Sequence, residues 1–516
     1  MWRTLTVLTA AMGLLIGLAV DAAAGDNAAE LAELIDRQIQ ARLDAEGVAR
    51  VPPADDAEFL RRVFLDLHGV VPAAERADRF LESKDPKKRT ELIEELLASS
   101  RLGEHFGDVW RGRLLSPQVN EQRVQAERFT SWLAQRFNDN DGWDKTVGDL
   151  LTATGKIEEN PAVTYLIEGR HPLGVTDLTD LTSRYFLGVR LNCAQCHDHP
   201  FVAWKRQDYW GMAAFFAQIQ TPNRPKMVYV AGVRDDPKMT LSSLQGADMI
   251  EGIQVRPPTF LDGEELSADS REAHRAALAH WITSRENPYF ARATVNRMWW
   301  HFFGRGIVNP VDDMHTGNPA SHPELLELLS RRFVESGFDL KFLCRAILTS
   351  RTYQQTSRPG EKADAQAKLF ARMSIKVLSP EQLYDSLVSV LGPPDKASGV
   401  DTRLGARYEF CQFFAGDGDP DPTRYERGIP HLLRLMNSRQ FTGRNVESLV
   451  SRVASPGRSA DDIVADLFLT ILARQPTPTE QQLARDQLKD TDASPQTVYR
   501  ELAWALLMSS EFSLNH

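Results

Sequence analysis

Asp56-Ala57-Glu58-Phe59-Leu60-Arg61-Arg62-Val63-Phe64-Leu65-Asp66-Leu67-His68-Gly69 decides the fold class. Phe59, Val63 and Leu67 stand four apart, the spacing that lines one face of a helix and that no half-buried strand would show. Gly69 suits the residue just past the last turn, where a left-handed conformation closes a helix. Pro72 then opens the next helix, running to about Glu82. The same texture extends both ways: backwards over Ala28 to Glu46, and forwards over Arg89–Ala98, His105–Leu114, Glu121–Asn138, Asp177–Val189 and Asp208–Gln218.

From Thr221 to Pro258 the pattern changes. Prolines, glycines and the β-prone runs Met227-Val228-Tyr229-Val230 and Ile253-Gln254-Val255 point to a small strand-bearing insert. Helical spacing returns at Ser270–Ser284, Pro288–Phe303, Pro323–Glu335, Leu340–Leu348, Pro380–Val390, Ala460–Leu472, Thr479–Asp490 and Thr497–Met508. The expected fold is mainly α. Its parts are an N-terminal helical domain over 28–220, a β-containing linker or insert over 221–265, and a C-terminal helical domain over 266–516. A chain of 516 residues is more than one core usually serves.

Met1-Trp2-Arg3, an apolar run from Leu5 to Val20 and Ala22-Ala23-Ala24 form a basic start, a short apolar centre and a small-residue cleavage site. This is the layout of a secretory signal peptide over 1–24, and the run is too short to span a bilayer. An exported chain, periplasmic or extracellular, without a membrane span is expected. The formal net charge is −10, with both signs interleaved, which argues against a nucleic-acid partner.

Four cysteines are too few for a disulfide framework in a chain of this size. Cys344 and Cys411 sit in apolar helical and aromatic contexts and read as core residues. Cys193-Ala194-Gln195-Cys196-His197 is different, because C-x-x-C-H is the pattern that receives haem c. Two thiols three residues apart reach the two vinyl groups, and the adjacent imidazole becomes the proximal iron ligand. The alternative is zinc, with His199 joining Cys193, Cys196 and His197. A redox disulfide is a weaker third reading, since no βαβ pattern surrounds the pair. For the other iron face, Met212, Met227 and Met239 lie downstream, and His301 or His315 would come from the second domain.

These stretches resemble a known family. Phe59 to Pro72, and Cys193 to Phe201 with Trp204 and Asp208-Tyr209-Trp210, are similar to the planctomycete-specific cytochrome-type domain. Ala293 to Gly306, Asp312-Asp313, Ser321 to Leu326 and Trp504 to Phe512 resemble the partner domain that follows it in that family. Many relatives carry a further small cytochrome c module, whereas here one C-x-x-C-H is present. The resemblance implies an extracytoplasmic protein with no assigned reaction.

A second group of residues is chemically rich. Arg292, Asn296 and Trp299 share a helix face, with Arg297 and Trp300 adjacent, and Asp312, Asp313, His315 and His322 follow. One reading is an acid–base or metal pocket for a ligand such as a carbohydrate. The favoured one is a network that fixes a loop, with Ser321 and Glu324 forming a capping box and Asp312 or Asp313 pairing with Arg297 or Arg305. Lys205, Arg206, Asp208 and Trp210 read as packing and solvation. The leading function is extracytoplasmic electron transfer through haem c with a redox partner protein. A carbohydrate-associated protein with a structural Cys/His metal site is the alternative.

Overall fold

A computed structural model describes residues 27–115, 125–168, 174–221, 232–245, 253–267, 273–392, 402–414, 421–424, 441, 443–490 and 493–516. The signal-peptide reading over 1–24 and the run Met227 to Val230 lie outside them. The fold is mainly α, as the periodicity requires. Among the described residues the sheets are two antiparallel pairs, Ile219–Gln220 with Arg234–Asp235 and Lys376–Val377 with Leu514–Asn515.

Helix Asp56–His68 forms as its spacing dictates. Asp55 caps it by accepting from Glu58 N at 2.9 Å, and Gly69 closes it at φ 69°. Pro323–Glu335 and Ala460–Leu472 begin and end where the sequence places them. Pro72 does not open the following helix, which starts at Ala74. The expected helix Asp208–Gln218 runs from Arg206 to Ala214 instead. Beyond it the chain turns so that Gln218 O accepts from Asp236 N at 2.8 Å and Ile219 enters the hairpin. Ile253 to Val255 form no strand. β-propensity alone gave those residues no partner to pair with.

The chain forms two compact units that interleave in sequence. One holds the described residues of Met1–Arg50, Val119–Gln354 and Glu361–Ala371; the other holds those of Val51–Gln118, Gln355–Gly360 and Arg372–His516.

In the first unit, helix Trp143–Thr152 packs on His274–Thr283, Gly174–Phe186 on both Arg206–Ala214 and Phe290–Phe303, and Phe290–Phe303 on Pro323–Glu335. Trp143, Tyr165, Phe186, Tyr209, Trp210 and Trp299 are buried in its core. Arg275, only 2% exposed, ties the hairpin in. It donates to Asp235 Oδ1 and Oδ2 at 2.9 and 2.7 Å and to the carbonyls of Leu151 and Ala153 at 2.6 and 3.1 Å.

In the second unit, Leu65 and Val71 join Leu383, Leu387, Phe410, Leu467, Phe468 and Phe512 in one apolar cluster. Adjacent Arg61 and Arg62, which a linear reading would leave in water, are each 1% exposed. Arg62 Nη2 donates to Glu58 Oε1 at 2.5 Å, while Thr356 Oγ1 and Ser357 N donate to the same carboxylate. Arg61 Nη2 donates to the carbonyls of Glu511, Phe512 and Leu514. Asp66 Oδ1 accepts from Lys376 Nζ at 2.5 Å and Asn515 Nδ2 at 2.7 Å. Charges leave water only when partnered in this way. Among the described residues no helix is long and apolar enough to cross a membrane.

Candidate functional site

The motif lies in the first unit, on a 3₁₀ turn over Asn192–Gln195. Leu191 and Ala194, three apart, are buried, and Ala194 N donates to Leu191 O at 2.8 Å. A 3₁₀ turn repeats every three residues, so side chains at i and i+3 eclipse. Burial of Leu191 and Ala194 therefore turns Cys193 and Cys196 outward together. Both are exposed free thiols.

The two histidines adopt opposite tautomers. His197 Nδ1 lies 2.8 Å from Asp198 O. A carbonyl can only accept, so Nδ1 carries the proton and Nε2 keeps its lone pair. A backbone carbonyl on one ring nitrogen fixes the ring and leaves the other nitrogen free to act as a ligand. His199 Nδ1 instead accepts from Phe201 N at 3.2 Å and Val202 N at 3.3 Å. Its proton sits on Nε2, and Nδ1 is engaged in the loop. His199 is thus a loop brace, and among the described residues no three of His, Cys, Asp and Glu come together as a metal-binding group. Two outward thiols and an imidazole with a free Nε2 are the donor set that a C-x-x-C-H haem site requires.

Neighbouring side chains hold this turn from two sides. Trp210, fully buried, donates Nε1–H to Gln195 O at 3.1 Å, and Arg206 Nε reaches the same carbonyl at 3.4 Å. Asp198 Oδ1 accepts from Arg206 N at 2.9 Å, and Asp208 Oδ2 from Lys205 N at 2.8 Å, so both carboxylates serve the start of helix Arg206–Ala214. On the upstream side, Asp312 is 1% exposed and accepts from Arg184 Nε and from Arg190 Nε and Nη2, the latter two at 2.8 and 2.6 Å. Met314 N donates to Gly188 O at 2.9 Å. Gly188 has φ 71°, and a Cβ there would lie 3.1 Å from both Ala293 Cβ and Met314 Sδ. The segment leading into Cys193 is thereby clamped to the Asp312 loop.

The clamp adds two partners to the expected one: Asp312 accepts hydrogen bonds from Arg184 and Arg190. Arg297 also lowers the Asp312 carboxyl electrostatically; it donates to Arg184 O at 3.4 Å, and its guanidinium lies 4.6 Å from the Tyr185 ring centre. Despite its burial, these arginines hold the Asp312 carboxyl below its ordinary value. Asn296, fully buried, fixes the loop as expected. Its Nδ2 donates to Val308 O and Val311 O, and its Oδ1 accepts from Val308 N.

The capping box does not form. His322 occupies the cap position, Pro323 opens the helix, and Ser321 Oγ donates to Ile307 O at 3.0 Å. Arg292 pairs with Glu327 at 2.8 Å, and His315 Nε2 lies 3.6 Å from Asp313 Oδ2.

His322 is 3% exposed, with Nδ1 3.1 Å from Ser321 Oγ and Nε2 enclosed without a hydrogen-bond partner. Ser321 has given its own proton to Ile307 O, so Nδ1 donates and Nε2 is bare. Burial, reinforced by Arg42, pushes the imidazole down to about 4. The unfolded chain binds the proton at ~6.5, so the stabilisation is complete above that pH and is lost as pH falls towards 4. Between pH 7 and pH 4 the protein is expected to lose about 3 kcal/mol more than its His322→Gln variant in urea unfolding. Equal losses would exclude His322 as the cause.

Met212 is fully buried, Met239 and His301 are half-buried, and Met227 lies outside the described residues. His301 and His315 lie in the same compact unit as the motif. Cys344 is buried and Cys411 half-buried, both as free thiols, in keeping with the core reading.

Two family models match, in the order of the sequence resemblance. PSCyt2, a protein of unknown function (DUF1549), matches residues 34–221, and PSD1, a protein of unknown function (DUF1553), matches residues 274–429. No curated protein and no solved structure matches the chain. The chain therefore belongs to the family in which a PSCyt2 domain is followed by a PSD1 domain.

Proposed function

We propose that this is an exported c-type haem protein, periplasmic or extracellular, that exchanges electrons with a redox partner protein. Cys193 and Cys196 would carry the thioether links and His197 Nε2 the proximal position. The observation that carries this reading is the His197 tautomer. Its Nδ1–H is committed to Asp198 O, which orients the ring and leaves Nε2 free. The two outward thiols and the leader-like N-terminus support it, because haem c is attached outside the cytoplasm. Bound haem would supply one-electron chemistry. The chain's part is to fix the imidazole and to hold the motif through Trp210, Arg206 and the Asp312 clamp. The exposure of the motif suits electron exchange at a surface.

The test is a pyridine haemochrome spectrum of the full chain made in a host with haem c maturation. A c-type α band in stoichiometric amount is expected. Folded protein without that band would overturn the proposal.

A further inference from the structure

Resting on the haem reading above, we propose that the apolar loop Pro200-Phe201-Val202-Ala203-Trp204 is the surface against which haem joined to Cys193 and Cys196 rests, with Phe201 as its principal contact. These five consecutive residues are all apolar, and none of them is buried. Phe201 is 89% exposed, more than any other large hydrophobic side chain among the described residues. Large apolar side chains scattered singly over a surface are ordinary. A run of five left in water marks a place that something covers.

The loop holds its form without burying its side chains. His199 N donates to Trp204 O at 2.8 Å and closes it. Phe201 N and Val202 N donate to His199 Nδ1 at 3.2 and 3.3 Å, so the imidazole spends its acceptor on the loop backbone. These bonds satisfy backbone groups from within the loop. The Phe201 ring meets the His199 ring edge-on at 6.4 Å. The same stretch of chain fixes the proposed iron ligand. His197 Nδ1 donates to Asp198 O, and Asp198 Oδ1 accepts from Arg206 N just beyond the loop. Four residues carry the chain from His197 to Phe201, a backbone reach of at most ~14 Å. Cys193, Cys196 and His197 are themselves exposed, so an apolar macrocycle bonded to them has the loop within its range. A freely diffusing partner would lose its translational freedom on meeting this patch. A group already tethered beside it loses none, and that favours haem as the occupant. Contact removes apolar area of both ring and loop from water.

Urea unfolding and optical redox titration of the full chain, made with and without haem c maturation, test this. Phe201→Ser should leave the urea midpoint of the haem-free chain unchanged, since an exposed ring contributes little there. It should lower the urea midpoint of the haem-loaded chain. The loaded Phe201→Ser protein should also have a lower midpoint potential than wild type, because water reaching the haem favours the more highly charged ferric state. Phe201→Leu keeps apolar area and should restore most of both. A change of the same size in loaded and haem-free chains would overturn the inference. So would a loaded Phe201→Ser protein with wild-type urea midpoint and potential, which would leave the loop to another protein's surface. Should the haem-free chain not fold, an unchanged potential in loaded Phe201→Ser would still overturn it. A wild-type chain without haem would overturn the haem reading and this inference together.

Discussion

Replacing both motif cysteines, Cys193→Ala with Cys196→Ala, is expected to abolish covalent haem completely and leave stability unchanged within about 0.5 kcal/mol. Both thiols are exposed and free, and the residues that pack the turn are Leu191 and Ala194. Each cysteine should matter separately. Cys196→Ala retains one thioether and one intact vinyl group, so the α band moves to longer wavelength without vanishing. His197→Ala keeps both thioethers and loses the axial ligand, so haem stays attached but becomes high-spin. Measuring attached haem beside urea unfolding separates this from a structural role. A structural metal or a packed disulfide would make the double variant much less stable. Such a loss of stability, with haem absent from the wild type, would count against the proposal.

Asp312→Ala should have the largest effect on the fold itself. It removes a nearly inaccessible carboxylate from between Arg184 and Arg190, with Arg297 close by. Deleting one member of a buried ion pair typically costs ~3–5 kcal/mol, and the lower end is expected here, because Arg297 stays buried while Arg184 and Arg190, 31% and 44% exposed, recover water. Asp312→Asn retains the shape and an acceptor oxygen and should cost less. The pH dependence has a definite sign. The folded carboxyl lies below its unfolded value of ~3.9, so the stabilisation is complete above that pH and is lost as acid protonates the folded form. Urea unfolding of wild type and Asp312→Ala at neutral pH and at about pH 3 should show the gap between them shrinking in acid. A gap of the same size at both would show that charge is not what Asp312 contributes.

The helical class was legible because helix formation is a local matter. Phe59, Val63 and Leu67 on one face, Asp55 before the first turn and Gly69 after the last act within a few residues of one another. The motif was legible for a similar reason. Cys193, Cys196 and His197 are covalent chemistry at fixed spacing, and a 3₁₀ turn suffices to align them. The Ser321–Glu324 pattern shows the limit of local reading. Its residues fit a capping box, yet Ile307 O took the Ser321 hydroxyl, and Pro323 already started the helix. Arg184 and Arg190 were missed as partners of Asp312 because they are more than a hundred residues away, and no periodicity encodes that distance.

Sequence by itself thus determined that this chain is helical and which three residues form the candidate haem site. It also carried the match to the PSCyt2 and PSD1 domains. Tertiary structure alone decided the rest. It buried Arg61 and Arg62 with Glu58 and the carbonyls of Glu511 to Leu514, and it interleaved the chain into two units. It set the tautomers of His197 and His199 through the carbonyl and amides that surround them. The division has one physical reason. Turn geometry and helical periodicity are properties of neighbours in sequence, whereas burial of charge and the placing of a proton depend on which distant groups come close enough to bond.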